Sequence, residues 1–543
     1  MSVRKGLVLL LAVSALMFLA ACGGSSTPSV VPPPSGGFSA GNLNGTYVVS
    51  ISGFDFTGNG SSFALAGTLT ANGSGSLTGL IDVNDAALGA SLSGASVQTG
   101  LAVTGNYTVS KDGRGAGTIT FTFDGVSQRF GIDFVITQNG SGLITRFDGN
   151  GTGSGTLDMQ TTASQSSLTA LAFSLAGADS GGLPLATVGG FTLDASGNIT
   201  AGSEDFNDDG GSSTDLALTG TLVLSSGTSG TAAFTTASGL GALSFDAWVI
   251  DSTHIKLIET DLTGNVLSGD AFSQQTSVTP GNFAYTLAGI DSAKNPFVAG
   301  GLLTVASGGG ITGIEDFNDS GVMIGSESSV SGSCTLSAGR CQIAFSGFSN
   351  GNGSLQTFQF AAYPSSGGIL LLEVDNLGLA MGAAFAQSST ALAAPQGYGL
   401  NLTGIDLNTP SEVDDIAEFT AQAVGSNGTG SLNGIIDIND GGPATPSGGA
   451  SLGSSSYTPD SPATGRGMIT ASITASNGFG LLEYYTVDGS TALIIEGDPT
   501  QVAVGTIALQ NATTSPAAVG PAGTLLRQAS QVHPALRRPK NKN

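Results

Sequence analysis

"SFALAGTLTANGSGSLTGLIDVND" spans residues 62–85, and its reading decides the fold. On both sides of its centre, apolar residues alternate with small or polar ones, the period of half-buried strands. The centre, "ANGSGS" (71–76), is Asn, Gly and Ser, which supply turn conformations. The stretch therefore reads as an antiparallel hairpin. The same alternation runs through "TYVVSISG" (46–53), "GNYTVS" (105–110), "GTITFTF" (117–123) and "RFGIDFVIT" (129–137). No helical stretch stands out beyond the N-terminal segment.

The end of the hairpin returns three more times. "SLTGLIDVND" (76–85) is matched by "NITAGSEDFND" (198–208), "GITGIEDFND" (310–319) and "SLNGIIDIND" (431–440). The second copy carries one extra residue, the mark of a bulge. Other landmarks keep order around it. Apolar–polar–apolar–x–Gly–x–Asp occurs at 49–55, 173–179, 285–291 and 400–406, and an apolar strand ends in Asp148, Asp261, Asp375 and Asp498. A Gln closes each unit, at Gln160, Gln274, Gln387 and Gln510. Successive motifs are 123, 111 and 121 residues apart, so each unit is domain-sized and able to bury its own core. The expectation is an all-β chain of four tandem antiparallel domains of about eight strands, at 43–160, 166–275, 281–388 and 396–511. Sequential hairpins favour small up-and-down barrels, which leave no exposed edge; β-sandwiches are the alternative.

The chain has 543 residues with 39 acids and 15 Lys or Arg. Two of the basic residues lie in the N-terminal segment and five in the tail 512–543. Between them, 39 acids face eight basic residues, a net charge of −31. Phosphate binding needs Lys and Arg, so nucleic acid is not an expected partner of the body. The tail reads as disordered and basic.

The N-terminus has Arg4 and Lys5, an apolar run, small residues, then Cys22. That is the pattern of a secretory signal, residues 1–21. "LAAC" (Leu19 to Cys22) resembles the lipobox of bacterial lipoproteins. The resemblance implies cleavage before Cys22, a lipid on that residue, and membrane attachment through it. Gly23 and Gly24 follow, which points to the outer membrane or cell surface, with the periplasmic face open as well. Residues 22–42, rich in Ser, Pro and Gly, then serve as a spacer. With Cys22 lipidated, two Cys remain; Cys334 and Cys341 flank a turn-like "TLSAGR" and are expected to form a disulfide.

The acidic motif has two readings. It is a turn, since Asp and Asn bond their own backbone. Alternatively it binds Ca²⁺, which takes six to eight oxygens from alternate side chains. Asp205, Asn207 and Asp209 precede Gly210; Asp316, Asn318 and Ser320 precede Gly321, with Glu327 beyond. This resembles the calcium loop of EF-hands, with Ser320 departing from it and no flanking helices. The third copy is the most complete.

Catalytic signals are sparse. There are two His, and His254 reads as a surface residue at a strand end. Gly449 to Gly453 fits Gly-x-Ser-x-Gly but lacks the strand–turn–helix setting of a nucleophile elbow. Glu259 with Asp261, Glu373 with Asp375 and Glu496 with Asp498 would suit a polymer-degrading hydrolase, but a repeated strand end is the simpler account. The sequence reads as a lipid-anchored cell-envelope protein, not an enzyme, with a structural or binding role toward polysaccharide or protein.

Overall fold

The computed structural model describes residues 37–92, 94–236, 239–349, 355–441, 446–475 and 478–511. Cys22, most of the spacer and the basic tail lie outside them. The described residues form four antiparallel barrels in chain order. Barrel 1 comprises β1 (Asn44–Asp55), β2 (Ser61–Asn72), β3 (Ser76–Asp85), β4 (Val97–Val109), β5 (Arg114–Phe123), β6 (Val126–Ile136), β7 (Gly142–Asp148) and β8 (Gly151–Met159). Each strand pairs with the next, and β8 returns to β1. The hairpin of residues 62–85 is β2–β3, with Phe63 opposite Asp85 and Ala71 opposite Leu77.

Barrel 2 runs from β9 (Ala170–Ala178) to β16 (Val266–Ser273), barrel 3 from β17 (Gly281–Asp291) to β24 (Gly378–Ala386), and barrel 4 from β25 (Gln396–Asp406) to β33 (Gln501–Leu509). In barrel 4 the fourth strand is broken into β28 (Ser447–Ser451) and β29 (Ser456–Pro459), which both pair with β27 (Gly430–Asp440). The barrel expectation thus holds over the sandwich. One short helix, α1 (Ala86–Leu92), departs from the all-strand reading. The Asp85 carboxylate accepts the N–H of Leu88 and starts it in the manner of an N-cap.

The Gly of the x-Gly-x-Asp landmark has a physical reason. A Cβ on Gly53, Gly177, Gly289 or Gly404 would lie 1.6–2.1 Å from a carbonyl oxygen of the last strand of its own barrel. Only Gly lets the first strand come that close at the seam where the barrel closes. The Asp two residues on then caps the turn that follows. Asp55 accepts from the N–H of Thr57, Asp179 from Gly181, Asp291 from Ala293 and Asp406 from Asn408.

Each barrel is filled by its own apolar cluster, for example Tyr47, Phe63, Ile81, Phe121 and Phe130 in barrel 1 and Phe173, Phe191, Phe234 and Phe245 in barrel 2. Alternation survives in strands such as β13 (Ser229–Thr236), where buried and exposed residues take turns. β8 and β24 are instead buried on both faces. Their second face packs on another barrel: Leu379, Met381 and Phe385 of β24 join the cluster between barrels, and Thr152 and Ser154 of β8 bond Asp414 of barrel 4. Ala284, Ala288 and Val298 of barrel 3 share a cluster with Leu493, Ile495, Val502 and Val504 of barrel 4 and with Ala172, Ala186 and Val188 of barrel 2. Val48, Ala64 and Ala66 of barrel 1 meet Trp248, Ile258 and Val266 of barrel 2. Val135 and Leu143 of barrel 1 meet Ile416 of barrel 4. Barrel 1 touches 2, 2 touches 3, 3 touches 4, and 4 returns to 1.

Candidate functional site

The repeated acidic motif forms the joints of this ring. At each copy the pairing of the third strand with the fourth slips by a residue: around Asp82, around Asp205 in β11 (Ile199–Asp208), around Asp316 in β19 (Gly310–Asp319) and around Asp437. A bulge re-aims a side chain, and here it turns the Asp toward the next barrel. A separate slip between Thr192 and Leu193 takes up the extra residue of the second copy.

Asp82 accepts the indole N–H of Trp248 in barrel 2 at 2.7 Å. Asp205 accepts Arg340 Nε at 2.7 Å and the Tyr363 hydroxyl at 2.6 Å, both from barrel 3. Asp316 accepts Arg466 Nε at 2.7 Å, Nη2 at 2.9 Å and the Tyr485 hydroxyl at 2.7 Å, all from barrel 4. Asp437 pairs with Arg114 of barrel 1 at 3.3 Å. The motif Asn follows the same path. Asn84 donates to the carbonyls of Glu259 and Asn265, Asn207 to Glu373 and Gly378, Asn318 to Glu496 and Gln501, and Asn439 to Arg146 and Gly151. The closing Gln does so too: Gln160 bonds Val249 O, Gln274 Gly339 O, Gln387 Thr486 O and Gln510 Asp112 O. Each interface is head-to-tail, and four such rotations close.

The receiving side chains sit at matched positions. Arg114, Arg340 and Arg466 each follow a Gly, and Ser229 holds their place in barrel 2. Opposite Arg114, Ser229 and Arg466 across the strand pair stand Val135, Trp248 and Tyr485, and Tyr363 follows Ala362, the partner of Cys341 next to Arg340. The sequence reading missed this landmark. Its signal was present: three of the eight basic residues of the body fall in a Gly-Arg pair after the fourth strand.

The residues suggested for calcium are engaged in these joints. A guanidinium stands on Asp316, and another on Asp205. Asn318 and Asn207 turn their amide nitrogens to carbonyls of the next barrel. Ser320 donates to Pro296 O at 3.3 Å, and Asp209 pairs with Lys294 at 3.2 Å. Glu327 lies in the strand opposite Asp316, with its side chain outside the described residues. Among the described residues, no group of three or more His, Cys, Asp or Glu is arranged to hold a metal ion.

Other positions are as follows. Cys334 and Cys341 are bridged. His254 is buried, a correction to its surface reading: its ring bonds Asp270, which also pairs with Lys256. Burial opposes the charge on Asp270, yet Lys256 and His254 hold its carboxyl below the usual range. Ser451 of the Gly-x-Ser-x-Gly lies in β28, with no helix after it. Asp148 ends the seventh strand of barrel 1, and in the other barrels the matching Asp lies two residues past a strand that ends in Glu. Each accepts a backbone N–H of its own barrel: Asp148 takes Gly131, Asp261 Ser244, Asp375 Gln359 and Asp498 Gly480. Burial, then the adjacent Asp, pushes Glu259 up to about 8 and Glu373 well above the ordinary range. Barrel 1 has Arg146 in that place, 1% exposed, bonded to Asp55 at 2.9 Å and Asp148 at 3.2 Å and lying over the Phe130 ring.

Two joints carry shifted acids. Burial, then Asp246, raises Asp82 to about 7. At the 4–1 joint, burial and then Asp437 raise Asp133 to about 7, while burial and then Asp112 raise Glu418 to about 8. That joint is the most polar: Asp414 accepts the hydroxyls of Thr152 and Ser154 at 2.7 Å, and Asn401 donates to Ser154. No protein-family model matches the chain, and no curated protein does.

Proposed function

We propose that the protein is a lipid-anchored component of the cell envelope whose ring of barrels serves a structural or binding role toward envelope polysaccharide or protein. One observation carries this reading. The repeated Gly, Asp, Asn and Gln side chains of the four units go to turns, seams and joints, so the repetition builds a frame. A frame held by buried joints presents its outer loops and clefts in fixed relation, which lowers the ordering cost of binding. The lipobox-like "LAAC" and the uncharged spacer supply the attachment. The test has two arms. Cys22→Ser should move the protein from the membrane to the soluble fraction. The purified chain should be retained by a panel of envelope polysaccharides and cell-wall fractions, with and without calcium. Retention by none of them, with unchanged fractionation of Cys22→Ser, would overturn the proposal.

A further inference from the structure

A cleft of about 470 Å³ opens between barrel 2 and barrel 3, lined by the joint side chains Gln274 and Arg340. That volume is within the roughly 300–1,000 Å³ of small-ligand sites. Gly190 of barrel 2 is buried beneath the Gln274 amide, whereas small residues of the same barrel, Ala201, Gly202 and Ala217, are at least partly exposed and line one side of the cleft. Its far wall is the hairpin of barrel 3 that the Cys334–Cys341 bridge closes.

We propose that this cleft binds an uncharged oligosaccharide, one per chain. This rests on the envelope-binding reading and names its site and ligand class. Asp215 and Arg340 both line the cleft. Arg340 is fixed by Asp205 through Nε and Nη2, which leaves Nη1 without a hydrogen bond among the described residues. Asp215 stands in the left-handed region at φ 53°, and its N–H is spent on Asp205. Its own carboxylate is exposed and accepts no hydrogen bond among the described residues. An acceptor and a donor side by side suit vicinal hydroxyls, which give one hydrogen bond and take another. Gln342, also exposed, adds an amide. The small side of Ala201, Gly202 and Ala217 leaves room for the C–H face of a sugar ring. An anionic polymer meets the opposite condition, because the surrounding body carries a net −31.

The site is not repeated. The position of Asp215 is Gly100 in barrel 1 and Gly449 in barrel 4, each donating its N–H to the motif Asp as Asp215 does. By strand register it is Glu327 in barrel 3, where the facing Arg466 is taken up by Asp460 and Glu483 as well as Asp316. The Cys-bridged hairpin belongs to barrel 3. Four equivalent binding faces are therefore not what the ring offers.

The test is titration calorimetry of the full chain in detergent with maltotriose, cellotriose, triacetylchitotriose and, as the charged contrast, trigalacturonate. At least one neutral trisaccharide should bind with a stoichiometry of one. Asp215→Gly, the residue that barrels 1 and 4 carry there and one that keeps the positive φ without strain, should weaken it about tenfold for the loss of a charged hydrogen-bond partner, and Gln342→Ala a few-fold, without shifting the melting temperature. Three results would overturn the proposal: no neutral trisaccharide binds, trigalacturonate binds as well as the neutral sugars, or binding ignores both substitutions. If the chain still holds wall fractions or an envelope protein in any of those cases, the envelope-binding reading stands and the cleft alone falls.

Discussion

Raising the pH from 5 to 8 should loosen the joint between barrels 1 and 2, and a single side chain should account for it. Asp82 is 1% exposed, between the Gly100 N–H at 2.8 Å and the Trp248 indole at 2.7 Å. Burial, then the charge of Asp246, lifts its carboxyl to about 7. In the unfolded chain the same group titrates near its ordinary value of about 4. Between those values the folded protein holds a proton that the unfolded chain has released. The stabilisation is complete at low pH and is lost as pH rises through 7. Each unit of difference is worth about 1.4 kcal/mol, so the loss between pH 5 and pH 8 is about 2.5 kcal/mol. Trp248 is the only tryptophan of the chain, and it lies in this joint. Urea unfolding followed by its emission therefore reads the right place. Other buried acids also titrate, so the measurement is a difference. Asp82→Asn carries a permanent donor and mimics the protonated form. Wild type should lose about 2.5 kcal/mol relative to Asp82→Asn over this range. Parallel pH dependence of the two proteins would refute the reasoning.

Arg466 serves Asp316, Asp460 and Glu483 at once. Arg466→Ala should cost about 3 kcal/mol or more in the denaturant midpoint, because it strands buried acid; a loss under about 1 kcal/mol would mean that this pair does not hold barrels 3 and 4. Arg146→Met should lower barrel 1 stability by about 3–5 kcal/mol by leaving Asp55 buried without its cation, measured by thermal melting. Gly289→Ala places a methyl 1.7 Å from Leu379 O. The seam of barrel 3 should then fail to form, seen as loss of soluble protein or of backbone amide protection in β17 and β24. Arg114→Ala should open the ring at the polar 4–1 joint while the barrels stay folded: the radius of gyration from small-angle scattering should rise with an unchanged far-ultraviolet circular dichroism spectrum. An unchanged radius would place the closure elsewhere.

The sequence by itself determined the strands and their number. Period two in "SFALAGTLTA" and the Asn and Gly at 72–75 specify a hairpin through local physics alone: side chains alternate across a strand, and those residues reach turn conformations at little cost. Repetition of the landmarks then made one barrel into four, but that Gly53 and its three counterparts mark the seam is visible only in the structure, where the last strand comes back against them. The helix at Ala86–Leu92 was missed because seven residues show no clear period. The tertiary structure decided what the second faces and the repeated Asp are for. Small residues such as Ala64, Ala284 and Ala288 read as a solvated face, yet they pack on another barrel, and nothing in a two-residue period separates water from a neighbour. The joints are long-range: Asp437 meets Arg114 across 323 residues. The alternate oxygens of Asp316 and Asn318 have the spacing of a cation loop and of a docking strand alike. Which one forms depends on whether a guanidinium arrives from the next barrel, and only the closing of the ring brings Arg466 there.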